Sequence, residues 1–159
     1  MKIIFLDVDG VLNDIEWFYH NKYIDIDEEK VKLLAEIYHR TDAKIVLSST
    51  WREMKSYNDN LSMKTYQMLV DILAKYKMEI IDHTPVHDMI RPLEIKEWLG
   101  KHPEVDKYAS LDDDFRFEQY EEYGIGNCLV KTSFYARDGK GGLQPEHVEK
   151  AIQILNGGK

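Results

Sequence analysis

The chain has 159 residues and a formal net charge of −8 at pH 7, with 43% hydrophobic and 31% charged residues. This composition is typical of one soluble globular domain, and the acidic balance disfavours nonspecific binding to nucleic acid. One cysteine, Cys128, excludes an internal disulfide and favours a reducing compartment. The sequence has no run of apolar residues long enough to span a membrane and no signal-peptide character at its start. We therefore expect a cytoplasmic protein that does not bind membranes.

Short apolar runs alternate with helical patterns along the chain, which predicts a parallel α/β sheet. The predicted strands lie at about residues 2–6, 44–47, 78–81, 108–111 and 127–132. The predicted helices carry apolar residues at helical spacing and lie at 27–40, 61–76, 92–99 and 145–156. This order predicts a single domain over residues 1–159, with room only for a small flap at about residues 11–25.

The first predicted strand ends in two carboxylates and a glycine, Asp7-Val8-Asp9-Gly10. Gly10 permits a sharp turn and a close approach of the backbone to a ligand. Carboxylates packed together repel one another, so they persist mainly where a cation or a proton-transfer role holds them. The pattern favours a functional site at this turn over its structural alternative, a solvated Asp-rich turn.

Two further predicted strands also end in polar residues. The second runs into Ser48-Ser49-Thr50-Trp51-Arg52, and the fourth runs into Asp112-Asp113-Asp114. Each pattern has a structural alternative, a helix cap for the serines and a solvated turn for the aspartates. Ligands of open α/β sheets bind beyond the carboxyl ends of the strands, so the three strand ends together predict one site.

These motifs resemble the haloacid dehalogenase-like (HAD) hydrolase superfamily. The resemblance rests on DVDGV after a strand, a Ser closing the next strand, a basic residue opening a later helix, and paired Asp closing another strand. KIVLSSTWR, and RPLEIKEWL followed by LDDD, are most similar to small capless members, including those joined to RNA-repair proteins. The resemblance implies a three-layer Rossmann-like fold with a five-stranded parallel sheet of order 3-2-1-4-5. It also implies a Mg²⁺-dependent phosphomonoester hydrolase that works through an aspartyl-phosphate.

The roles of the superfamily carry over to matching positions in this sequence. Asp7 matches the nucleophile that attacks phosphorus, and Asp9 matches the general acid and base. Ser48 matches the hydroxyl that holds a phosphoryl oxygen, and Ser49 is the alternative if the strand is one residue longer. Gly10 stands at the turn that would bring the backbone to the phosphate.

The resemblance also implies a cation and a metal site. Arg91 matches the cation that neutralises the nucleophile and the phosphate, because Pro92 would keep it just outside the helix; Lys96 is the alternative. The ligands of Mg²⁺ would be carboxylates and a backbone carbonyl, and Mn²⁺ would substitute because it prefers the same oxygen ligands. These metal-binding residues are Asp7, Asp9 through its carbonyl, Asp113, and Asp112 beside it.

The substrate is the least determined part of the hypothesis. Trp51 and Arg52 stand beside the predicted phosphate site, where they would stack a base and contact a second phosphate; Trp51 is equally well interpreted as a core residue. The short flap predicts an open site, which would admit a bulky phosphorylated substrate such as a nucleic-acid end or a phosphoprotein, or would be closed by a partner chain in an oligomer. Two alternatives to a general phosphatase stay open: a polynucleotide-end phosphatase of nucleic-acid repair, and a non-catalytic phosphate- or metal-binding module.

Overall fold

The computed structural model describes residues 1–21, 25–56 and 60–157. Its strands are β1 (Lys2–Leu6), β2 (Lys44–Leu47), β3 (Ile80–His83), β4 (Lys107–Asp112) and β5 (Leu129–Lys131). They form one five-stranded sheet in the order β3-β2-β1-β4-β5, and every pair is parallel. The predicted fold class and strand order are therefore confirmed.

Helices cover both faces of this sheet. They are α1 (Ile15–His20), α2 (Glu28–Thr41), α3 (Asn60–Lys75), α4 (Arg91–Gly100), α5 (Phe117–Glu121) and α6 (Pro145–Leu155), with 3₁₀ helices at Thr50–Ser56 and Gly126–Cys128. Side chains alternate along β1, so Ile4 and Leu6 pack with α2, α3 and α6, while Ile3 and Phe5 pack with α4 and α5. This alternation divides the apolar core into two layers and gives the three-layer architecture.

The register of the central strands sets the position of the site. Leu6 pairs with Leu47 on one side and with Leu111 on the other. The backbone N–H of Asp7 donates to the carbonyl of Leu111 at 3.2 Å, and the N–H of Ser48 donates to the carbonyl of Leu6 at 2.9 Å. The residues that follow β1, β2 and β4 therefore begin at the same level of the sheet edge.

The helix boundaries differ from the prediction in ways that have local causes. Arg91 is the first residue of α4, with Ile90 as the N-cap and Pro92 inside the first turn. The expectation that Arg91 lies just outside this helix is therefore wrong, since proline is tolerated throughout the first turn, where N–H groups have no partner within the helix. Neither α1 nor α5 was predicted, because helices of 6 and 5 residues are too short to show a helical period.

Candidate active site

One guanidinium connects the ends of three strands. Arg91 Nη1 donates to Asp112 Oδ1 at 2.7 Å and to Asp7 Oδ2 at 3.3 Å, and Arg91 Nε donates to the carbonyl of Ser48 at 2.8 Å. The exposed fractions of these residues are 8% for Arg91, 5% for Asp7 and 0% for Asp112. Burial alone would lower the pKa of Arg91, but Asp7 and Asp112 raise it, so this side chain is a permanent cation.

The carboxylate of Asp112 is occupied on both oxygens. Oδ1 accepts the bond from Arg91 and one from the N–H of Asp114 at 2.9 Å, and Oδ2 accepts from the hydroxyl of Tyr120 at 2.7 Å. Tyr120 is in turn in hydrogen-bond contact with Ser110 at 2.8 Å. Asp112 thus fixes the orientation of Arg91 and offers less of its carboxylate to a ligand than its neighbour Asp113, which lines the adjoining cavity.

Three carboxylates meet beside Arg91 and could hold a metal ion. Among the described residues, Asp7, Asp112 and Asp113 each offer an oxygen, and these oxygens lie within 4.8 Å of one another. Burial raises the pKa of Asp7 well above its usual value, and the nearby Asp112 and Asp113 raise it further against the effect of Arg91. Burial also raises the pKa of Asp113. Three crowded carboxylates against one guanidinium leave excess negative charge, which a divalent cation with a preference for oxygen ligands would neutralise.

The side chain of Asp9 is held apart from this cluster by two donors. Its Oδ1 accepts from Asn13 Nδ2 at 3.0 Å, and its Oδ2 accepts from Trp51 Nε1 at 3.2 Å. Asn13 is fully buried and also accepts from the N–H of Gly10 at 2.8 Å, so it organises the turn after β1, where Gly10 has φ = +80°. Sequence reasoning missed Asn13; the one local signal was an Asn placed three residues after the turn glycine.

The two serines after β2 have different partners. Ser48 Oγ is buried and has no hydrogen-bond partner among the described residues. Ser49 Oγ accepts from the N–H of Trp51 at 3.1 Å, so Ser49 takes the capping role that was its structural alternative. Of the two hydroxyls, that of Ser48 has no partner, but Ser48 is 0% exposed and is not among the residues that line the cavity at the strand ends.

Two side chains proposed for substrate contact are part of the folded interior instead. Trp51 is 3% exposed and packs in the core while it binds Asp9, so its ring does not present a free face for a base. Arg52 Nη2 forms an ion pair with Glu94 Oε2 at 2.8 Å, and both side chains are 2% exposed. Arg52 Nη1 also donates to the carbonyl of Ser49 at 2.8 Å, and Nε is buried without a partner among the described residues, so the guanidinium does not face a substrate. These two predicted contacts are therefore not supported.

Lys96, the alternative to Arg91, is exposed on α4 and does not line the cavity at the strand ends. That cavity has a volume of about 410 Å³. Its polar lining is formed by Asp7, Asp9, Thr50, Arg91, Asp113 and Asp114, and its aromatic lining by Phe18, Phe134 and Tyr135. Thr50, Phe134 and Tyr135 were not singled out from the sequence, since the last two lie on a long connection without a periodic pattern.

The parallel sheet and the acidic residues at its strand ends define a HAD-like domain. Residues 3–148 match the family model described as the HAD domain in Swiss Army Knife RNA repair proteins, and the chain belongs to this family. Among curated proteins, none matches the chain. In the described part of the chain, every helix is too short or too polar to cross a membrane.

Proposed function

We propose that this protein is a Mg²⁺-dependent phosphomonoester hydrolase in which Asp7 is the nucleophile and Asp9 is the general acid and base. One observation carries the proposal. Among the described residues that line the cavity, Asp7 is the carboxylate that contacts the buried cation Arg91. A carboxylate approaches a phosphate dianion only if positive charge offsets their repulsion, and Arg91 supplies part of that charge.

The proposed reaction has two displacements at phosphorus. In the first, an oxygen of Asp7 attacks phosphorus, the bond to the leaving oxygen breaks, and Asp9 gives its proton to that oxygen. In the second, Asp9 takes a proton from water, the water oxygen attacks phosphorus, and the bond to Asp7 breaks to release inorganic phosphate. The bonds from Asn13 and Trp51 support this assignment, because they hold the Asp9 carboxylate in one place beside the cavity.

The residues present fit the metal that HAD domains use. Asp7, Asp113 and the backbone carbonyl of Asp9 would hold Mg²⁺ or Mn²⁺, with Asp112 beside them. When bound, this ion would neutralise negative charge on the phosphoryl oxygens. Ser48 would hold a phosphoryl oxygen, a role that its unpartnered hydroxyl supports.

The description of the family supports a narrower candidate, a phosphatase acting on nucleic-acid ends. An open cavity at the sheet edge would admit the end of a nucleic-acid chain without enclosing the rest of that chain. A non-catalytic binding module is less well supported, since each position proposed for catalysis carries a residue able to perform its step.

The first experiment measures hydrolysis of p-nitrophenyl phosphate by the purified protein in Mg²⁺, in excess EDTA, and after Mg²⁺ or Mn²⁺ is restored. We expect activity that EDTA abolishes and either ion restores, and Asp7→Asn should abolish turnover without loss of the fold. Asp114→Asn is the matched control, because Asp114 lines the same cavity outside the three-carboxylate cluster. Full activity in EDTA, or wild-type turnover by Asp7→Asn, would overturn the proposal.

A second experiment tests the narrower candidate. Hydrolysis of 3′- and 5′-phosphorylated oligonucleotides is compared with that of phosphorylated metabolites and phosphopeptides at equal concentration. A higher kcat/KM for an oligonucleotide end supports the repair phosphatase, and a clear preference for metabolites or peptides contradicts it.

A further inference from the structure

Three aromatic side chains form one side of the cavity, and we name them the aromatic wall: Phe18, Phe134 and Tyr135. The ring centroids of Phe18 and Phe134 are 5.8 Å apart, and those of Phe134 and Tyr135 are 4.9 Å apart. Tyr135 is 74% exposed, although burial would stabilise a ring of this size. Phe18 and Phe134 are half-buried, so Tyr135 presents the ring that is most accessible to a ligand beside the carboxylates.

Hydrogen bonds join the segment that carries Phe134 and Tyr135 to α1 and to the turn after β1. The N–H of Ile15, at the start of α1, donates to the carbonyl of Phe134 at 3.0 Å, and the N–H of Gly139 donates to Glu16 at 2.9 Å. Thr132 Oγ1 donates to the carbonyl of Gly10 at 2.6 Å, which ties the same segment to the turn after β1. The backbone that carries Phe134 is therefore tied to α1, and the same segment is tied to the turn after β1 that carries Asp7 and Asp9.

The charges in the cavity favour stacking over ionic attraction as the source of affinity. Its lining has four carboxylates, on Asp7, Asp9, Asp113 and Asp114, against the single cation Arg91 among the described residues. The whole chain carries a net charge of −8. A polyanion would gain little from such a surface beyond the phosphoryl site itself, whereas an aromatic face binds a planar ring without positive charge.

We propose that the aromatic wall is a stacking subsite for the base of the nucleotide that carries the phosphate to be removed. This inference rests on the proposed function. The polar residues and the aromatic wall line one and the same cavity, so a phosphate and a base joined through a sugar could contact both linings at once. The aromatic wall would take the base-stacking role that the sequence predicted for Trp51, because the ring of Trp51 is buried in the core.

The test compares dinucleotides that carry a terminal 3′- or 5′-phosphate with the same molecules lacking the base on the phosphorylated sugar. The quantity measured is the ratio of kcat/KM for the base-bearing substrate to that for the abasic one. Tyr135→Ala should lower this ratio by roughly 5- to 150-fold, the range expected for one base–aromatic stack. Phe134→Leu should lower it less, because the ring of Phe134 lies at 85° to that of Tyr135 and one base cannot stack on both faces. Tyr19→Ala is the matched control, because Tyr19 is 71% exposed on α1 beside Phe18 but does not line the cavity; its ratio should equal that of the wild type.

Each result decides the inference. A wild-type ratio near one, or equal losses on both substrates in the two wall variants, overturns it. A phosphotyrosine peptide that is hydrolysed faster than either dinucleotide, and that loses its preference in Phe134→Leu, assigns the wall to a protein substrate and overturns the nucleotide assignment.

Failure of the proposed function gives a different result. If the wild type hydrolyses neither the dinucleotides, nor p-nitrophenyl phosphate, nor the ring-free monoester glycerol phosphate, catalysis itself is refuted. The subsite is then judged by calorimetric binding of the base-bearing and abasic dinucleotides to the wild-type protein. Tighter binding of the base-bearing form that is lost in Tyr135→Ala supports the wall, and equal binding refutes it.

Discussion

Gly10 lies against the side chain of Asp113, so closely that a Cβ atom on residue 10 would lie 2.2 Å from Asp113 Cγ. The turn after β1 and the end of β4 thus meet with no space for a methyl group. Gly10 also has φ = +80°, a conformation that side chains rarely adopt. The glycine of this turn is required by the acidic residue on a neighbouring strand as well as by the turn itself.

Replacement of Gly10 by alanine should displace Asp113 and weaken binding of Mg²⁺. We expect affinity for Mg²⁺, measured by calorimetry, to fall at least about tenfold, with a stability loss of roughly 1–2 kcal/mol from backbone strain. Gly124→Ala is the control, because Gly124 has φ = +73° but open space around its Cβ position. Gly124→Ala should lose stability through backbone strain but keep its affinity for Mg²⁺. A similar loss of Mg²⁺ affinity in both variants would contradict the assignment of Asp113 as a metal ligand.

Replacement of Arg91 by lysine should lower kcat by roughly a hundredfold or more. One guanidinium contacts Asp7, Asp112 and the carbonyl of Ser48, and an ammonium group cannot reproduce that fork. Stability should also fall, by about 3–5 kcal/mol if the cation no longer reaches both carboxylates. Lys96→Met on the same helix should retain wild-type turnover, and a loss there equal to that of Arg91→Lys would assign the cation to Lys96.

Replacement of Asp9 by asparagine should separate the two proposed steps. Turnover should fall by roughly 10²–10⁴, the usual contribution of acid–base catalysis. With p-nitrophenyl phosphate, whose leaving group needs little protonation, the first step should suffer less than hydrolysis of the intermediate. Rapid-quench trapping should then detect phosphoryl-enzyme in Asp9→Asn and none in Asp7→Asn. Phosphoryl-enzyme in the Asp7 variant would refute its role as the nucleophile.

The two serines should respond in opposite ways to alanine. Ser48→Ala removes a hydroxyl without a partner among the described residues, so thermal stability should change little while kcat/KM falls. Ser49→Ala removes the acceptor for the N–H of Trp51 and should cost about 0.5–2 kcal/mol of stability, as other lost caps do. Thermal melts and steady-state kinetics on both variants check this, and the reverse pattern would place the phosphoryl contact at Ser49.

Stability should depend on His147 below neutral pH. Burial lowers the pKa of His147, and its Nδ1 accepts from the N–H of Gln144 at 3.0 Å at the start of α6. The unfolded chain then takes up a proton near pH 6.5 that the folded chain takes up only at lower pH, so this contribution to stability is present above about pH 6.5 and is lost as pH falls. His147→Gln keeps an acceptor without titration. Melting temperatures between pH 8 and 5 should fall more for the wild type than for this variant, and parallel curves would contradict the prediction.

The sequence was informative where the signal is local. The strands were predicted because short apolar runs, such as residues 3–6 and 45–47, stop abruptly at polar residues, and a parallel sheet brings such stops to one edge. The position of Asp7 beside Asp112 and Asp113 follows from that reasoning together with the strand order. The site geometry agrees with the hypothesis at these positions, while their chemical roles stay predictions.

The sequence was uninformative where a partner lies far along the chain. Glu94 is 42 residues from Arg52, and nothing near Arg52 shows that its charge is used inside the fold. The sequence around Trp51 is likewise compatible with either a core residue or a base-stacking residue. Its burial in the folded chain shows that it is a core residue. Phe134 and Tyr135 reach the cavity through long-range backbone contacts that leave no pattern in the sequence around them.

Asn13 makes one further contact, from Nδ2 to the carbonyl of Asp25 at 2.8 Å. This bond joins the two ends of the segment that carries α1, so the segment leaves the sheet edge and returns to it at one fixed point. Lengthening a loop whose ends are already held together costs only about 0.6 kcal/mol for each doubling of its length. A longer segment could therefore be accommodated between Asn13 and Asp25, by evolution or by design, at a small cost in loop closure, and the bond from Asn13 to Asp9 would not have to change.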